Sequence, residues 1–162
     1  MMNFRSKLVP CEGLAEWRSR FRESGRRLVV TNGCFDLLHL GHVTYLEAAR
    51  NAGDFLLIGV NGDAAVKALK GENRPINTEM DRALVLGGLE SVGAVCIFTE
   101  TRAVRFLSLA APDIYVKGGD YTLETVNQEE RRAVESQGGQ IIFIPFVPGK
   151  STTSLVEKIS RL

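Results

Sequence analysis

Histidine is scarce in this chain: His39 and His42 are the only two in 162 residues. Zinc normally takes three or four protein ligands, so a His-x-x-His pair with no third imidazole and no neighbouring cysteine pair falls short of a structural metal site. Cysteine is scarce too. Cys11, Cys34 and Cys96 are an odd number, widely spaced and without Cys-x-x-Cys, which excludes a disulfide framework or zinc ribbon. No apolar run approaches the roughly 20 residues of a membrane span. The stretch Met1-Met2-Asn3-Phe4-Arg5-Ser6-Lys7 lacks the apolar core of a secretory signal, so the expected compartment is the cytoplasm. An excess of charge is also missing. Twenty Lys and Arg against 19 Asp and Glu leave a net +1, with no basic field to draw in nucleic acid, so any phosphate site must be local.

What is present is an alternation. Short apolar runs at Leu28 to Thr31, Phe55 to Val60, Val95 to Phe98, Ile114 to Val116 and Ile141 to Ile144 read as strands buried on both faces. Helical patterns fill residues 42 to 51, 63 to 69, 78 to 90, 102 to 110, 127 to 137 and 152 to 161. With no repeat, linker or low-complexity segment, the expectation is one domain over residues 1–162. It is an α/β, Rossmann-like, doubly wound parallel five-stranded sheet over residues 27–162, with helices on both faces. An amphipathic helix over 12–24, with Trp17 as a packing anchor and Gly25 as its stop, precedes it. In such sheets ligands sit at the carboxyl ends of the strands.

The stretch Thr31 to His42 follows the first strand and leads into a helix. Free N–H groups and the helix dipole favour an anion there, and His39 and His42 can share one face of the first turn. Imidazoles beside an anion site point to phosphate chemistry. Cys34 reads as a packing residue of the turn, because no base is reserved for it.

Other motifs fall on the same edge, each with a plainer structural reading beside it. Asn61-Gly62-Asp63 ends the second strand, where Asp63 serves equally as a helix N-cap. Lys67 and Lys70 approach a polar loop, Gly71-Glu72-Asn73-Arg74-Pro75, which could close over a triphosphate. Arg82 lies in the first turns of a helix that Thr78 caps; a cation is mildly unfavourable there unless it meets an anion. Lys117-Gly118-Gly119-Asp120-Tyr121 offers a cation, an acceptor and two glycines that let a ligand approach the backbone, or else a tight turn. Ser151-Thr152-Thr153, after Gly149-Lys150, is an ordinary N-cap or a second phosphate cradle.

Gly33-Cys34-Phe35-Asp36 followed by His39-Leu40-Gly41-His42 resembles the signature of the cytidylyltransferase-like nucleotidyltransferases. With Asn61-Gly62-Asp63, Leu69-Lys70-Gly71, Arg74-Pro75-Ile76-Asn77, Asp81-Arg82, Lys117 to Tyr121 and Ser151-Thr152-Thr153, the ordered set is similar to the heptose 1-phosphate adenylyltransferases over almost the whole chain. Lys150, and the lack of a preceding arginine, depart from the pattern of the CTP-using relatives. The resemblance implies transfer of AMP from ATP to D-glycero-β-D-manno-heptose 1-phosphate, giving ADP-heptose and pyrophosphate for lipopolysaccharide or another heptose-containing glycan. It implies His39, His42 and Lys70 as catalytic residues, and Asn32, Gly33, Cys34, Phe35, Gly41, Ser151, Thr152 and Thr153 as nucleotide contacts. Asp36, Asn61, Asp63, Arg82, Lys117, Gly118 and Asp120 are the implied substrate contacts, with a base pocket around Ile144 to Val147. Mg²⁺ is the implied cofactor, held mainly through phosphates rather than by a protein metal site. Family members are often fused behind a sugar kinase. The short lead before the first strand suggests a stand-alone form served by a separate heptose kinase, and a homodimer is compatible with it. Two alternatives stay open: a CTP-dependent enzyme acting on glycerol 3-phosphate or another alcohol phosphate, and a nucleotide-binding module without turnover.

Overall fold

The computed structural model describes residues 3–162; residues 1 and 2, the first of the expected domain, lie outside the described residues. Five strands form one parallel sheet: β1 (Leu28–Gly33), β2 (Phe55–Asn61), β3 (Ala94–Phe98), β4 (Ile114–Gly118) and β5 (Gln140–Ile144), in the order β3-β2-β1-β4-β5. The helices are α1 (Leu14–Arg22), α2 (Leu40–Asn51), α3 (Asp63–Lys70), α4 (Glu79–Gly87), α5 (Val104–Ala110), α6 (Gln128–Glu135) and α7 (Thr152–Ile159). The expected alternation is found in full. The first helix differs slightly from the expected 12–24 span, because it begins as a short 3-10 turn over Cys11–Gly13.

Successive strand residues face opposite sides of the sheet, and each side has its own apolar cluster. Leu28, Val30, Leu57, Cys96, Phe98 and Tyr115 pack beneath α1, α5 and α6 through Leu14, Phe106, Leu107 and Val134. Val29, Leu56, Ile58, Val60, Ile114 and Val116 pack beneath α2 and α4 through Tyr45, Leu46, Ala83 and Leu86. Trp17 is the expected packing residue; its ring stacks on Phe21 at 5.4 Å between centroids and meets Phe55 at 5.9 Å. α1 carries one feature its amphipathic pattern does not announce. Arg18 is buried, donating to the Ala111 carbonyl at 2.9 Å and to Asp113 at 3.0 Å.

β1 pairs β2 on one side and β4 on the other. The chain therefore winds outward from β1 to β3, crosses back and winds out again through β4 and β5. The crevice beyond the carboxyl ends of β1 and β4 is the point where the winding reverses, the usual ligand position in such sheets. Gly33 and Gly118 end those two strands.

Candidate active site

β1 runs into a tight turn before α2. Phe35 takes the left-handed region at φ 48°, uncommon for an aromatic residue. It is buried, and its ring lies 5.4 Å from that of His42. His39 is the N-cap of α2 in extended conformation, and its side chain makes no capping bond. The two imidazoles stack, with centroids 3.9 Å apart and planes inclined by 27°. Nδ1 of each is buried without a hydrogen-bond partner. Buried polar atoms are normally paired, so two orphans on one stacked pair mark a place where hydrogen bonds are made to something else.

Electrostatics agree with that geometry. Burial, then the neighbouring His39, lower His42 to about 4, although a contact with the Leu37 carbonyl pulls upward. Burial and Lys150 lower His39. At neutral pH both rings are neutral, and each offers one N–H and one lone pair.

Gly41 explains how the turn closes. A Cβ there would lie 2.9 Å from the His39 ring and 3.0 Å from Cβ of Lys150. The start of α7 is pressed against the same turn: Thr152 Oγ1 donates to the Leu37 carbonyl at 3.4 Å. Ser151 is the N-cap, its hydroxyl accepting from Ser154 N at 3.1 Å. The N-termini of α2 and α7 thus converge, with Lys150 between them. Thr153 is exposed beside them.

Several of the expected substrate contacts also have partners within the protein. Asp36 is buried. Its carboxylate accepts from the amides of Ile76 and Asn77 at 2.9 Å and forms an ion pair with Arg74 at 2.8 Å, binding the α3–α4 loop to the histidine turn. Arg82 meets an anion as anticipated, but the anion is Asp63, at 2.8 Å; its other nitrogens donate to the Cys34 and Asn77 carbonyls. Asp63 is not the cap of α3, since Gly62 holds that position. The Glu79 carboxylate accepts from Asp63 N at 2.7 Å, so this helix N-terminus already has its anion. Asn61 is buried and donates to the Glu100 carbonyl at 3.3 Å. Of the two lysines weighed against each other, Lys67 pairs with Glu72 at 2.7 Å, while Lys70 has no ion pair among the described residues. Burial raises the Cys34 thiol against the opposing fields of Lys70 and Arg82, so it is no activated nucleophile.

At the end of β4, Lys117 and Gly118 face opposite sides of the sheet. Gly118 and Gly119 lie under the ring of Phe146, where a Cβ would come within 2.9 and 2.8 Å of it, and Tyr45 approaches Gly118 from α2. Phe146 is 66% exposed, an unusual position for a phenylalanine, and Asp120 is exposed beside it. On the other side Lys117 Nζ pairs with Glu130 at 3.1 Å, and the Tyr115 hydroxyl lies 3.0 Å from Glu130 and 2.6 Å from Asn32 Oδ1. Burial, then Glu130, keep that phenol protonated. Sequence reasoning missed Glu130, whose place in the first turn of α6 reads as a simple complement to the helix dipole. It also missed Tyr115, which reads as one more residue of an apolar strand.

The fold and this turn define a nucleotidyltransferase-type α/β domain, and the chain belongs to the cytidylyltransferase-like family, whose profile matches residues 30–158. Among curated proteins it is similar to the bifunctional protein HldE of Methylobacillus flagellatus, 50% identical over 154 residues, and of Trichlorobacter lovleyi, 47% identical over 154 residues; each alignment covers 95% of this chain. The chain spans 31% of the length of those relatives. Among solved structures it is similar to a lipopolysaccharide core biosynthesis protein from Thermoplasma volcanium, with TM-score 0.62 and 25% identity over 76% of this chain and 98% of that one. Pantoate-beta-alanine ligase from Francisella tularensis shares the fold at TM-score 0.59 and 11% identity, covering 96% of this chain and 78% of that one.

Proposed function

We propose that this chain is a cytoplasmic sugar-phosphate adenylyltransferase, moving AMP from ATP onto heptose 1-phosphate to give ADP-heptose and pyrophosphate. The observation that carries the reading is the stacked pair His39 and His42, with orphaned nitrogens, at the meeting of two helix N-termini. A phosphate oxygen of the sugar 1-phosphate attacks the α-phosphorus of ATP in line. The bond from that phosphorus to the bridging oxygen breaks, and its electron pair leaves with pyrophosphate.

A phosphate monoester is already anionic near neutral pH, so the protein need supply no strong base. Its contribution is positioning and stabilisation of developing charge. The neutral imidazoles donate N–H to the oxygens of the α-phosphate. Lys70, Ser151 and Thr152, with the free amides of α7, hold the departing pyrophosphate. The Phe146 ring, packed over the Gly118–Gly119 backbone, offers its exposed aromatic face to the base. The only carboxylate of the histidine turn, Asp36, is engaged by Arg74 and the loop amides, which suits an ion brought in on the triphosphate better than a protein-held metal. Mg²⁺ brought in with the triphosphate would supply charge neutralisation there, with Asp36 committed to the loop amides and Arg74. The acceptor is supplied by a kinase acting on heptose, and the product feeds a heptose-containing glycan such as lipopolysaccharide.

Pyrophosphate release with Mg²⁺ tests the reading when ATP and CTP are each crossed with heptose 1-phosphate and glycerol 3-phosphate. Release with ATP and heptose 1-phosphate alone is the expected result. Release with CTP and glycerol 3-phosphate overturns the base and the acceptor. ATP binding without release in any combination indicates a nucleotide-binding module.

A further inference from the structure

A cavity of about 450 Å³ opens on the face of the sheet to which Lys117 points, between the end of α3, the loop after β3 and the start of α6. Its size lies within the range of small-molecule sites. The walls differ in chemistry. Leu69 and Tyr121 offer apolar surface, while Arg102, Lys117, Asn127 and Glu130 offer donors and acceptors. Arg102 is exposed and has no ion-pair partner among the described residues. Glu130 is 5% exposed. One of its oxygens takes Ala103 N at 3.2 Å; the other takes Lys117 and faces Tyr115, which reaches Asn32 at the end of β1.

We propose that this cavity holds the sugar body of the acceptor, with Arg102 and Glu130 reading its hydroxyl groups and Lys117 facing its phosphate. The inference rests on the adenylyltransferase reading and assigns the second substrate to residues that reading leaves unused. Three observations carry it. First, a lining that mixes apolar surface from Leu69 and Tyr121 with donors and acceptors matches a hydroxylated ring, whose C–H face and O–H edges differ in the same way. Second, side chains alternate along β4, so Lys117 opens onto this cavity while Gly118 faces the Phe146 ring on the other side. The two substrates therefore enter on opposite sides of one strand and meet at its carboxyl end, beside the histidines. Third, the bonds from Glu130 through Tyr115 to Asn32 tie the cavity floor to the strand that carries the histidine turn. Charged side chains fixed in this way are preorganised for a polar ligand.

The test uses two variants at exposed positions, Arg102→Ala to remove a donor and Ala68→Trp to fill the cavity from α3. Each is expected to raise the KM for heptose 1-phosphate by about 10-fold or more, while the KM for ATP stays within about twofold, the scale of losing one charged hydrogen bond. Equal rises in both KM values, or no change in either, overturn the proposal. If the wild-type chain releases no pyrophosphate with heptose 1-phosphate, the activity reading fails by itself. The cavity is then judged by titration calorimetry with glucose 1-phosphate. Binding by wild type that both variants lose supports a sugar-phosphate pocket; no binding, or equal binding by all three proteins, overturns it.

Discussion

Arg82 Nη1 donates to the carbonyl oxygen of Cys34 across 2.6 Å, joining the buried face of α4 to the turn that carries both histidines. The two residues are 48 positions apart. The same guanidinium holds Asp63 and the Asn77 carbonyl, so one side chain fixes the entrance to α3, the loop before α4 and the histidine turn. Arg82 thereby acts as a positioning residue for the histidine turn.

Arg82→Ala is expected to destabilise the protein by about 2–4 kcal/mol, because two partly buried carbonyls and a carboxylate lose their buried donor together. Arg82→Lys recovers only part of this, since an ammonium cannot reproduce the fork. Urea unfolding midpoints measure both, and an unchanged midpoint in the alanine variant contradicts the role.

His42→Ala is expected to lower kcat by ~10²-fold or more, the scale of one lost transition-state donor, with the fold intact. Turnover at the wild-type level in a correctly folded variant removes His42 from the mechanism.

The His42 ring should titrate near pH 4 in the free protein, followed by NMR of its carbon-bound protons. Its folded value lies below the ordinary 6.5, so between about 6.5 and about 4 the unfolded chain binds more protons. Stability should therefore fall as pH drops through that window and level off beneath it. His42→Ala should lose less stability than wild type between pH 7 and pH 5. Titration of His42 near 6.5 contradicts the burial argument.

Gly41→Ala should reduce turnover by about 10-fold or more while changing the melting temperature little, since the new Cβ displaces the His39 ring rather than a core side chain. A variant with full turnover shows that the stacked arrangement is dispensable.

Phe146→Ala is expected to raise the KM for ATP several-fold, on the scale of a lost base–aromatic stacking contact. With 66% of Phe146 exposed, no stability loss accompanies the change. An ATP KM equal to that of wild type removes Phe146 from base binding.

The strands and helices were legible because their signals are local. Leu28 to Thr31 and Phe55 to Val60 are uninterrupted apolar runs, which only a sheet covered on both faces can bury. Ser151 and Thr78 likewise carry their capping role in their own short side chains. The histidine pair was legible from spacing, since positions 39 and 42 can share a helical face. The protein partners of Asp36, Asp63 and Arg82 were not legible, because a charged residue beside a ligand motif looks the same whether its partner is substrate or protein.

The sequence by itself determined the alternation of elements, the doubly wound class and the turn where phosphate chemistry belongs, because periodicity and helix capping act over a few residues. Only the tertiary structure decided which polar groups are left free. Asp36 meets Ile76 across 40 positions, Arg82 meets Cys34 across 48, and Tyr115 meets Asn32 across 83. Each of those partnerships commits part of a residue's bonding capacity to the protein before any ligand arrives. Burial, which pushes His42 down to about 4, likewise depends on what α2 and the Phe35 turn pack against. No spacing rule contains that information, because hydrogen bonds and desolvation are fixed by which distant segments the sheet brings together.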